Sequence, residues 1–203
     1  KDLFHDASVR VPLIVYDPRP EADTTRGTAN EMLVEGIDLP PTFLDFFGSD
    51  PKPHILEGRS LDPLLHGQEA PWRDYAISEY DYATRQSAVE LDVDQAEARL
   101  VMIFDGRWKY IHAEGFRPLL FDLETDPGEL VDLGGDPAHE EVRARLHEAM
   151  FAWARRHHGR ITRTPEQVNN MAQAAEPPGV LIGFWDEDEI RNAGIKSVYP
   201  KVD

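Results

Sequence analysis

Residues 99–130, RLVMIFDGRWKYIHAEGFRPLLFDLETDPGEL, decide the fold of the second half of this chain. Two apolar runs, residues 100–104 and 108–111, flank the dipeptide Asp105-Gly106. That dipeptide accepts the positive φ angles of a tight type I′ turn, so the pattern predicts a β-hairpin. Asp-Pro-Gly at 126–128 predicts another turn. The stretch therefore predicts a small antiparallel sheet.

A long helix is predicted directly after this sheet. Asp136 suits the start of the helix, and basic residues followed by Gly159 suit its end. Together with the sheet, the helix predicts a compact α+β subdomain over residues 72–159. The apolar residues that recur at helical spacing form one stripe: Val142, Leu146, Met150 and Trp153.

Residues 1–71 predict the edge of a different fold, in which one strand enters a larger sheet. Residues 9–16 are almost continuously apolar, which is typical of a strand covered on both faces. A short helix is predicted from Asp38, as its N-cap, to Gly48, and its phenylalanines indicate that other elements clamp it. A smaller helix of the same design is predicted from Ser60 to Gly67. This part of the chain is therefore predicted to hold the sheet-edge part of the larger domain.

Residues 160–203 show no sustained period and are predicted to form an extended tail. The tail cannot bury its one apolar cluster, at 180–185, by itself. We expect that cluster to lie along another surface, either of the same chain or of a neighbouring subunit. The second alternative predicts a homo-oligomer in which the tail is an intersubunit arm. The acidic segment 89–98 is a second candidate contact, with a mobile loop as the alternative.

The charge of the chain excludes some classes of partner. The 203 residues include 38 acidic and 21 basic side chains, which gives a formal charge of −17. Such a chain repels phosphate backbones and anionic membranes, and its apolar runs fall far short of the ~20 residues that a membrane helix needs. The absence of cysteine excludes disulfides and a thiolate nucleophile, and is compatible with the cytoplasm. We predict a cytoplasmic protein without nucleic-acid or membrane partners, noting that any N-terminal signal would precede Lys1.

Several polar groups could suggest a catalytic or metal site, but each has a simpler explanation. Glu79 and Asp81 share one face of a predicted strand, where a solvated sheet face accounts for them. His157-His158 close the predicted helix, where cations suit the negative end of the helix dipole. The acidic run 186–189 lacks the alternating ligands and central glycine of a calcium loop. The chain also contains no phosphate loop, serine elbow or His-Glu-x-x-His segment, and therefore no credible nucleophile.

Four motifs, in their order and separations, resemble the C-terminal third to half of a sulfatase-type hydrolase of the alkaline phosphatase superfamily. They are ASVRVPLIVYDP at 7–18, GIDLPPTFLDFFG at 36–48, GRSLDPLLHG at 58–67 and LLFDLETDPGELVDLGGDP at 119–137. SDPKPH at 49–54 and PWRDYAISEYDY at 71–82 resemble, more narrowly, the phosphonate monoester hydrolases. The resemblance covers about residues 1–160 and implies an α/β fold of the alkaline phosphatase type.

The resemblance implies that most of the reactive groups lie upstream of this chain. Family members attack the ester with a formylglycine and hold a divalent metal, such as calcium or manganese, and both sets of residues precede the matching region. A lysine that contacts the anionic group of the substrate comes just before the RVPL pattern, and Lys1 stands at that position. An ammonium suits this role because it offers three donors to a tetrahedral anion. At the positions of His5 and Asp6 the family usually has an aromatic residue and an acid that take no part in catalysis. The resemblance therefore implies a structural role for His5 and Asp6.

Two functions follow as hypotheses. The first is the C-terminal portion of a metal-dependent hydrolase of small anionic sulfate, phosphonate or phosphate esters, with the upstream half of the same polypeptide as its partner. In that case the 203-residue chain alone is expected to be inactive. The second is a non-catalytic scaffold or oligomerisation module that uses the tail from Arg160 onward.

Overall fold

The computed structural model describes residues 3–50, 52–157, 164, 166–167 and 170. The chain divides into two compact units, Lys1–Gly159 and Arg160–Asp203. The apolar cluster at 180–185 and the acidic run at 186–189 lie outside the described residues, so the predicted arm and the scaffold alternative stay predictions. The predicted boundary at residue 72 falls inside the first unit and also stays a prediction.

Within its described residues, the first unit combines helices with one antiparallel sheet. None of the described helices has the length and apolarity needed to cross a bilayer. The helices are α1 (Asp6–Val9), α2 (Leu39–Phe46), α3 (Asp62–Leu65), α4 (Gln86–Glu90) and α5 (Glu140–His157), and the strands are β1 (Ala76–Asp81), β2 (Arg99–Phe104), β3 (Trp108–Ala113) and β4 (Leu119–Asp122).

The four strands form an antiparallel meander in the order β1-β2-β3-β4. The predicted hairpin is confirmed, with β2 and β3 in a register that places Ile103 opposite Tyr110. Gly106 has φ +97°, an angle that disfavours any residue with a Cβ. The Asp105 carboxylate accepts hydrogen bonds from the backbone N–H groups of Arg107 (2.9 Å) and Trp108 (2.6 Å). Local chemistry therefore fixes the turn and, through it, the register.

One face of the sheet packs against α5. Alternate strand residues point to the same face, so β2, β3 and β4 each supply side chains to one core. The predicted stripe on α5 is confirmed for three of its four residues, because Leu146 and Met150 are buried there and Val142 packs beside them. The Asp136 side chain accepts a hydrogen bond from the N–H of Ala138 (2.9 Å) and thereby caps a 3-10 turn, Pro137–His139, that leads directly into α5. The buried members of this core are Ile103, Tyr110, Leu120, Leu146 and Met150.

The opposite face of the sheet receives the N-terminal segment. Phe4 is buried there among Met102, Ile111 and Phe121. Val9, at the end of α1, packs against the same cluster. The beginning of the described chain is therefore held on the sheet of the second half by apolar contact.

The predicted strand over residues 9–16 is wrong in this structure. Helix α1 ends at Val9, and residues 10–16 form neither helix nor strand. Val11, Ile14 and Tyr16 are exposed, Ile14 by 91%. A strand covered on both faces needs neighbours that pair with its backbone, and among the described residues all four strands belong to the antiparallel sheet. An apolar run without such neighbours cannot form its ladder.

The two short helices of the N-terminal part form where predicted, with two corrections. The side chain of Asp38 makes no capping hydrogen bond to α2. It is occupied by other partners, described below. The expected clamp is also absent among the described residues, since Phe43, Phe46 and Phe47 of this region are exposed. The second helix, α3, begins at Asp62 inside the predicted range of 60–67.

Gly58→Ala is expected to lower the free energy of unfolding by about 3 kcal/mol. A Cβ at Gly58 would lie 1.8 Å from the carbonyl oxygen of Ile37, so the backbone there would have to move. Gly36→Ala is the matched control, because a Cβ at that position meets nothing within 4 Å. Urea denaturation of the two variants measures the difference. Equal midpoints would contradict the close approach.

Candidate functional site

Lys1, the predicted contact for the substrate anion, lies outside the described residues, and its role stays a prediction. The structure describes the residues that follow it from Leu3 onward. Phe4 is 4% exposed and anchors this segment in the sheet cluster.

A buried lysine holds the same segment by charge. Lys109, on β3, is 1% exposed. Its Nζ donates to Oδ1 of Asp6 (2.5 Å) and to Oε1 of Glu129 (2.6 Å). The Arg10 guanidinium also lies 3.5 Å from Oδ2 of Asp6. The ammonium thus joins the N-terminal segment to the turn after β4 through two carboxylates.

Glu129 completes this cluster from a strained position. Its Oε2 accepts a hydrogen bond from the backbone N–H of Asp6 (2.6 Å) and lies 3.5 Å from Nδ1 of His5. Its φ is +53°, a left-handed conformation that costs a residue with a side chain about 1–3 kcal/mol. The predicted turn at 126–128 produces this placement, because the N–H of Glu129 donates to the carbonyl of Asp126 (3.0 Å).

His5 and Asp6 have the structural contacts that the sequence predicted for them. The ring of His5 lies 5.5 Å from that of Phe121, and Asp6 contacts both Lys109 and Glu129. Sequence reasoning missed Lys109 and Glu129. Lys109 could have been found as the single charged residue in the apolar run WKYI, because the predicted hairpin places that run on a strand with buried positions.

A second charged network joins the N-terminal part to β1. The Arg73 guanidinium donates to both oxygens of Asp38 (2.5 and 2.6 Å) and lies 2.9 Å from Oε2 of Glu35. Asp38 also accepts from the N–H groups of Glu35 and Arg59, and Glu35 accepts from the N–H of Ile77 (2.7 Å). Asp38 is fully buried. The two carboxylates therefore tie residues 35–38 to the start of the sheet.

The two carboxylates of this network differ in their pKa values. Burial raises the pKa of Glu35, and the hydrogen bond from Ile77 and the charge of Arg73 only partly oppose it. Burial acts on Asp38 in the same direction, but the hydrogen bonds from Arg73, Glu35 and Arg59 outweigh it and lower the pKa of Asp38. As the pH falls, Asp38 therefore keeps its negative charge longer than Glu35 does.

One group of described residues has the composition of a metal site. Ligand atoms of Asp17, Asp62 and His66 lie within 4.8 Å of one another. However, the Arg19 guanidinium donates to Asp17 (3.0 and 2.6 Å) and also to Asp62. The hydrogen bond from Arg19 is the largest cause of the lowered pKa of Asp17. Because a cation already pairs with both carboxylates, this group does not fit a divalent metal.

The remaining predicted candidates do not assemble into a site. Glu79 and Asp81 are exposed on β1, as expected for a solvated sheet face. His157 is the last residue of α5, while its side chain and His158 lie outside the described residues. The acidic segment 89–98 includes the end of α4 and irregular chain that is largely exposed.

The stability of this unit is expected to fall in acid, and Asp122 is one cause. The hydrogen bond from Arg107 lowers the pKa of Asp122. Its folded pKa therefore lies below the unfolded value of about 3.9, so the unfolded state binds the proton first. The stabilising contribution is present above that unfolded pKa and is lost as the pH falls through the folded pKa. Glu35, with its raised pKa, acts in the opposite direction.

Asp122→Asn should make the acid-induced loss of stability shallower while lowering stability near neutral pH. Urea denaturation at a series of pH values from neutral down to about pH 2 measures both effects. A variant with an unchanged acid slope would show that Asp122 is not one of the groups responsible.

Comparisons with known proteins give these residues a context. Residues 1–156 match the family model described as N-sulphoglucosamine sulphohydrolase, C-terminal. The multifunctional alkaline phosphatase superfamily protein PehA of Trinickia caryophylli is 32% identical over 160 residues, covering 76% of this chain and 30% of its own length. An arylsulfatase of Clostridium perfringens is 29% identical over 141 residues, covering 70% of this chain and 27% of its own length.

Two solved structures are similar to part of this chain. The phosphonate monoester hydrolase of Agrobacterium radiobacter has a TM-score of 0.59 and 33% identity, covering 64% of this chain and 27% of that one. The phosphonate monoester hydrolase of Silicibacter pomeroyi has a TM-score of 0.60 and 32% identity, covering 64% of this chain and 26% of that one. The chain spans 30% and 27% of the two curated relatives named above.

Proposed function

Because this chain belongs to the N-sulphoglucosamine sulphohydrolase C-terminal family, we propose that it is the C-terminal part of a hydrolase of sulfate, phosphonate or phosphate monoesters. The family match over residues 1–156 carries this proposal. It agrees with the resemblance predicted from the four motifs and with the α/β fold of the alkaline phosphatase type. The substrate would be a small molecule that bears an anionic ester.

The exposed apolar surface supports a partner domain from the same protein. Val11, Ile14 and Tyr16 are exposed in the segment that the sequence predicts as a buried strand. Phe43 and Phe47 are also exposed in and after α2. Apolar side chains gain about 25 cal/mol for each Å² removed from water, so such residues favour a covering surface. We assign that surface to the larger α/β domain that the family match implies.

In this proposal the described residues of the chain form a scaffold that ion pairs hold together. Lys1, which lies outside the described residues, is the residue proposed to contact the substrate. An ammonium beside the ester group offsets negative charge that develops on its oxygens in the transition state. A metal and a formylglycine, which the family implies, would add charge stabilisation and a nucleophile. No described group of side chains fits the metal, since Arg19 occupies the one candidate set. We therefore propose that the metal ligands and the formylglycine lie in the remainder of the protein.

We propose phosphonate monoesters as one substrate class, with sulfate esters as the alternative that the sulphohydrolase family model and the Clostridium perfringens arylsulfatase support. Both phosphonate monoester hydrolase structures exceed 30% identity. A putative sulfatase from Bacteroides thetaiotaomicron has 26% identity and a TM-score of 0.52. The segments 49–54 and 71–82 favour the same branch. The other two expectations, a cytoplasmic location and a homo-oligomer, stay predictions.

The proposal is tested by assaying the full-length protein with an aryl phosphonate monoester and an aryl sulfate in parallel. We expect turnover of the phosphonate, with equal or slower turnover of the sulfate. Release of the aryl alcohol, followed by its absorbance, measures both reactions. Absence of turnover with both substrates by a folded, metal-supplemented protein would contradict the proposed function.

A further inference from the structure

Two histidines from different elements meet beside the core that the sheet forms with α5. His112 lies on β3 and His147 on α5, and their ring centroids are 5.4 Å apart at an interplanar angle of 67°. The ring of Tyr110 stacks on His112 at 6.5 Å and meets His147 edge-on at 6.3 Å. Tyr110 is buried. Both imidazoles therefore share one side of the sheet and rest on a fixed aromatic base.

A carboxylate completes this group. Glu114 follows His112 by two residues, and alternate residues of an extended chain point to the same side. Its Oε2 lies 3.3 Å from Nε2 of His112. The side chain of His112 is 27% exposed and that of Glu114 is 62% exposed, and His147 is exposed as well. An ion from solvent can therefore reach all three side chains.

Within the described residues, no arginine or lysine forms an ion pair with this group. Glu114 pairs with His112 alone, and His147 makes only ring contacts. The group around Asp17 differs in this respect, because Arg19 already donates to its carboxylates. The chain as a whole carries a formal charge of −17, which attracts cations. The two imidazoles and the carboxylate are therefore available to a metal ion.

The spacing of the group fits zinc. Zinc binds imidazole nitrogen at about 2.0–2.1 Å with tetrahedral angles, which places the centroids of two bound imidazoles roughly 5 Å apart and neighbouring ligand atoms roughly 3.4 Å apart. The observed separations are 5.4 Å for the two rings and 3.3 Å for Nε2 of His112 and Oε2 of Glu114. The three ligand atoms are not all within 4.8 Å of one another, so the exposed ring of His147 has to turn toward the other two.

We propose that His112, Glu114 and His147 bind a zinc ion that joins α5 to β3. Two histidines and one carboxylate are an established zinc donor set, which leaves the fourth position to water. Imidazole suits zinc and its neighbours among the transition metals, whereas calcium and magnesium prefer oxygen ligands. The donor set therefore selects zinc over these harder cations. The site does not depend on the reaction proposed above.

Calorimetric titration of the full-length protein with zinc chloride tests the proposal. His147→Ala is the main variant, because the side chain is exposed and alanine favours a helix. Loss of an outer-shell partner already weakens metal binding by about 10–100-fold, so the loss of this ligand should weaken it at least about a hundredfold. Glu114→Gln keeps the shape of the side chain, removes its charge and should weaken binding by about tenfold or more.

His54→Ala is the matched control. His54 is a partly buried histidine of the loop before α3 and makes none of the ring contacts of this group. Zinc that binds elsewhere in the full-length protein contributes equally to every variant. We therefore expect the wild type and His54→Ala to bind one more zinc ion than His147→Ala in the concentration range of the titration.

Hydrogen exchange shows whether the ion joins the helix to the strand. Zinc should slow exchange in peptides covering residues 108–114 and 143–150 of the wild type and of His54→Ala, because an ion that binds only the folded state opposes its opening. The same peptides of His147→Ala should exchange equally fast with and without zinc.

Each contrary result overturns the proposal. Equal zinc binding by the wild type, His147→Ala and Glu114→Gln would assign the zinc to other groups and leave the two rings a packing role only. Zinc binding that protects neither peptide would refute the link between α5 and β3. Both measurements are made without an ester, so failure of this site and failure of the proposed function are told apart.

Discussion

Lys1→Ala in the full-length protein is expected to lower kcat by about a hundredfold or more, because the proposed role of Lys1 is to donate to the anion that develops in the transition state. The change should leave the thermal midpoint unaltered, since Lys1 precedes the first anchor, Phe4. Arg99→Ala is a suitable control, because Arg99 is an exposed cation on β2. Turnover of the two variants with an aryl phosphonate monoester measures the difference.

A Lys1→Ala variant with wild-type turnover would remove Lys1 from the substrate site. Lys1→Arg gives a further comparison. The planar guanidinium keeps the charge but presents its donors in a different geometry, so we expect partial recovery of kcat.

Asp38→Ala is expected to have the largest effect on stability, lowering the free energy of unfolding by about 3–5 kcal/mol. Asp38 is fully buried, and its removal leaves the Arg73 guanidinium with Glu35 as its remaining carboxylate. The backbone N–H groups of Glu35 and Arg59 also lose their acceptor. The network that ties residues 35–38 to β1 would therefore lose its central carboxylate.

Asp45→Ala is the control for this prediction, since Asp45 is an exposed acid on α2. Urea denaturation of both variants gives the free energies of unfolding. If Asp38→Ala were no less stable than Asp45→Ala, the buried network would not contribute as described.

The antiparallel sheet and α5 could be predicted because their signals are local. Asp105 and Gly106 lie between the two strands that they join, and the Asp105 side chain accepts hydrogen bonds from backbone N–H groups two and three residues away. Leu146 and Met150 recur at the helical period and face the sheet. In these elements, pattern, turn chemistry and packing favour the same structure.

The charged networks could not be predicted because their members are distant in sequence. Lys109 is 103 residues from Asp6, and Arg73 is 35 residues from Asp38. Helix-capping preferences suggested that Asp38 caps α2, but its oxygens accept hydrogen bonds from the N–H of Glu35 three residues earlier and from Arg59 and Arg73, which lie farther along the chain. Contacts over the tertiary structure therefore outweighed the local preference.

In the segment 9–16, the sequence pattern predicted a strand that the structure does not form. Its apolar run favours a buried strand, but a strand is defined by its neighbours, and the described residues offer it none. Exposure of Ile14 and Tyr16 is the physical consequence. The sequence pattern thus describes a surface that the proposed larger domain would cover.

The central claim is that this chain supports and flanks a site whose nucleophile lies in another part of the protein. Parallel assays of the 203-residue chain and of the full-length protein, with an aryl phosphonate monoester and an aryl sulfate, test it most directly. We predict turnover by the full-length protein and none by the 203-residue chain at equal concentration. Turnover by the 203-residue chain alone would contradict the claim, because a nucleophile would then have to lie within these residues.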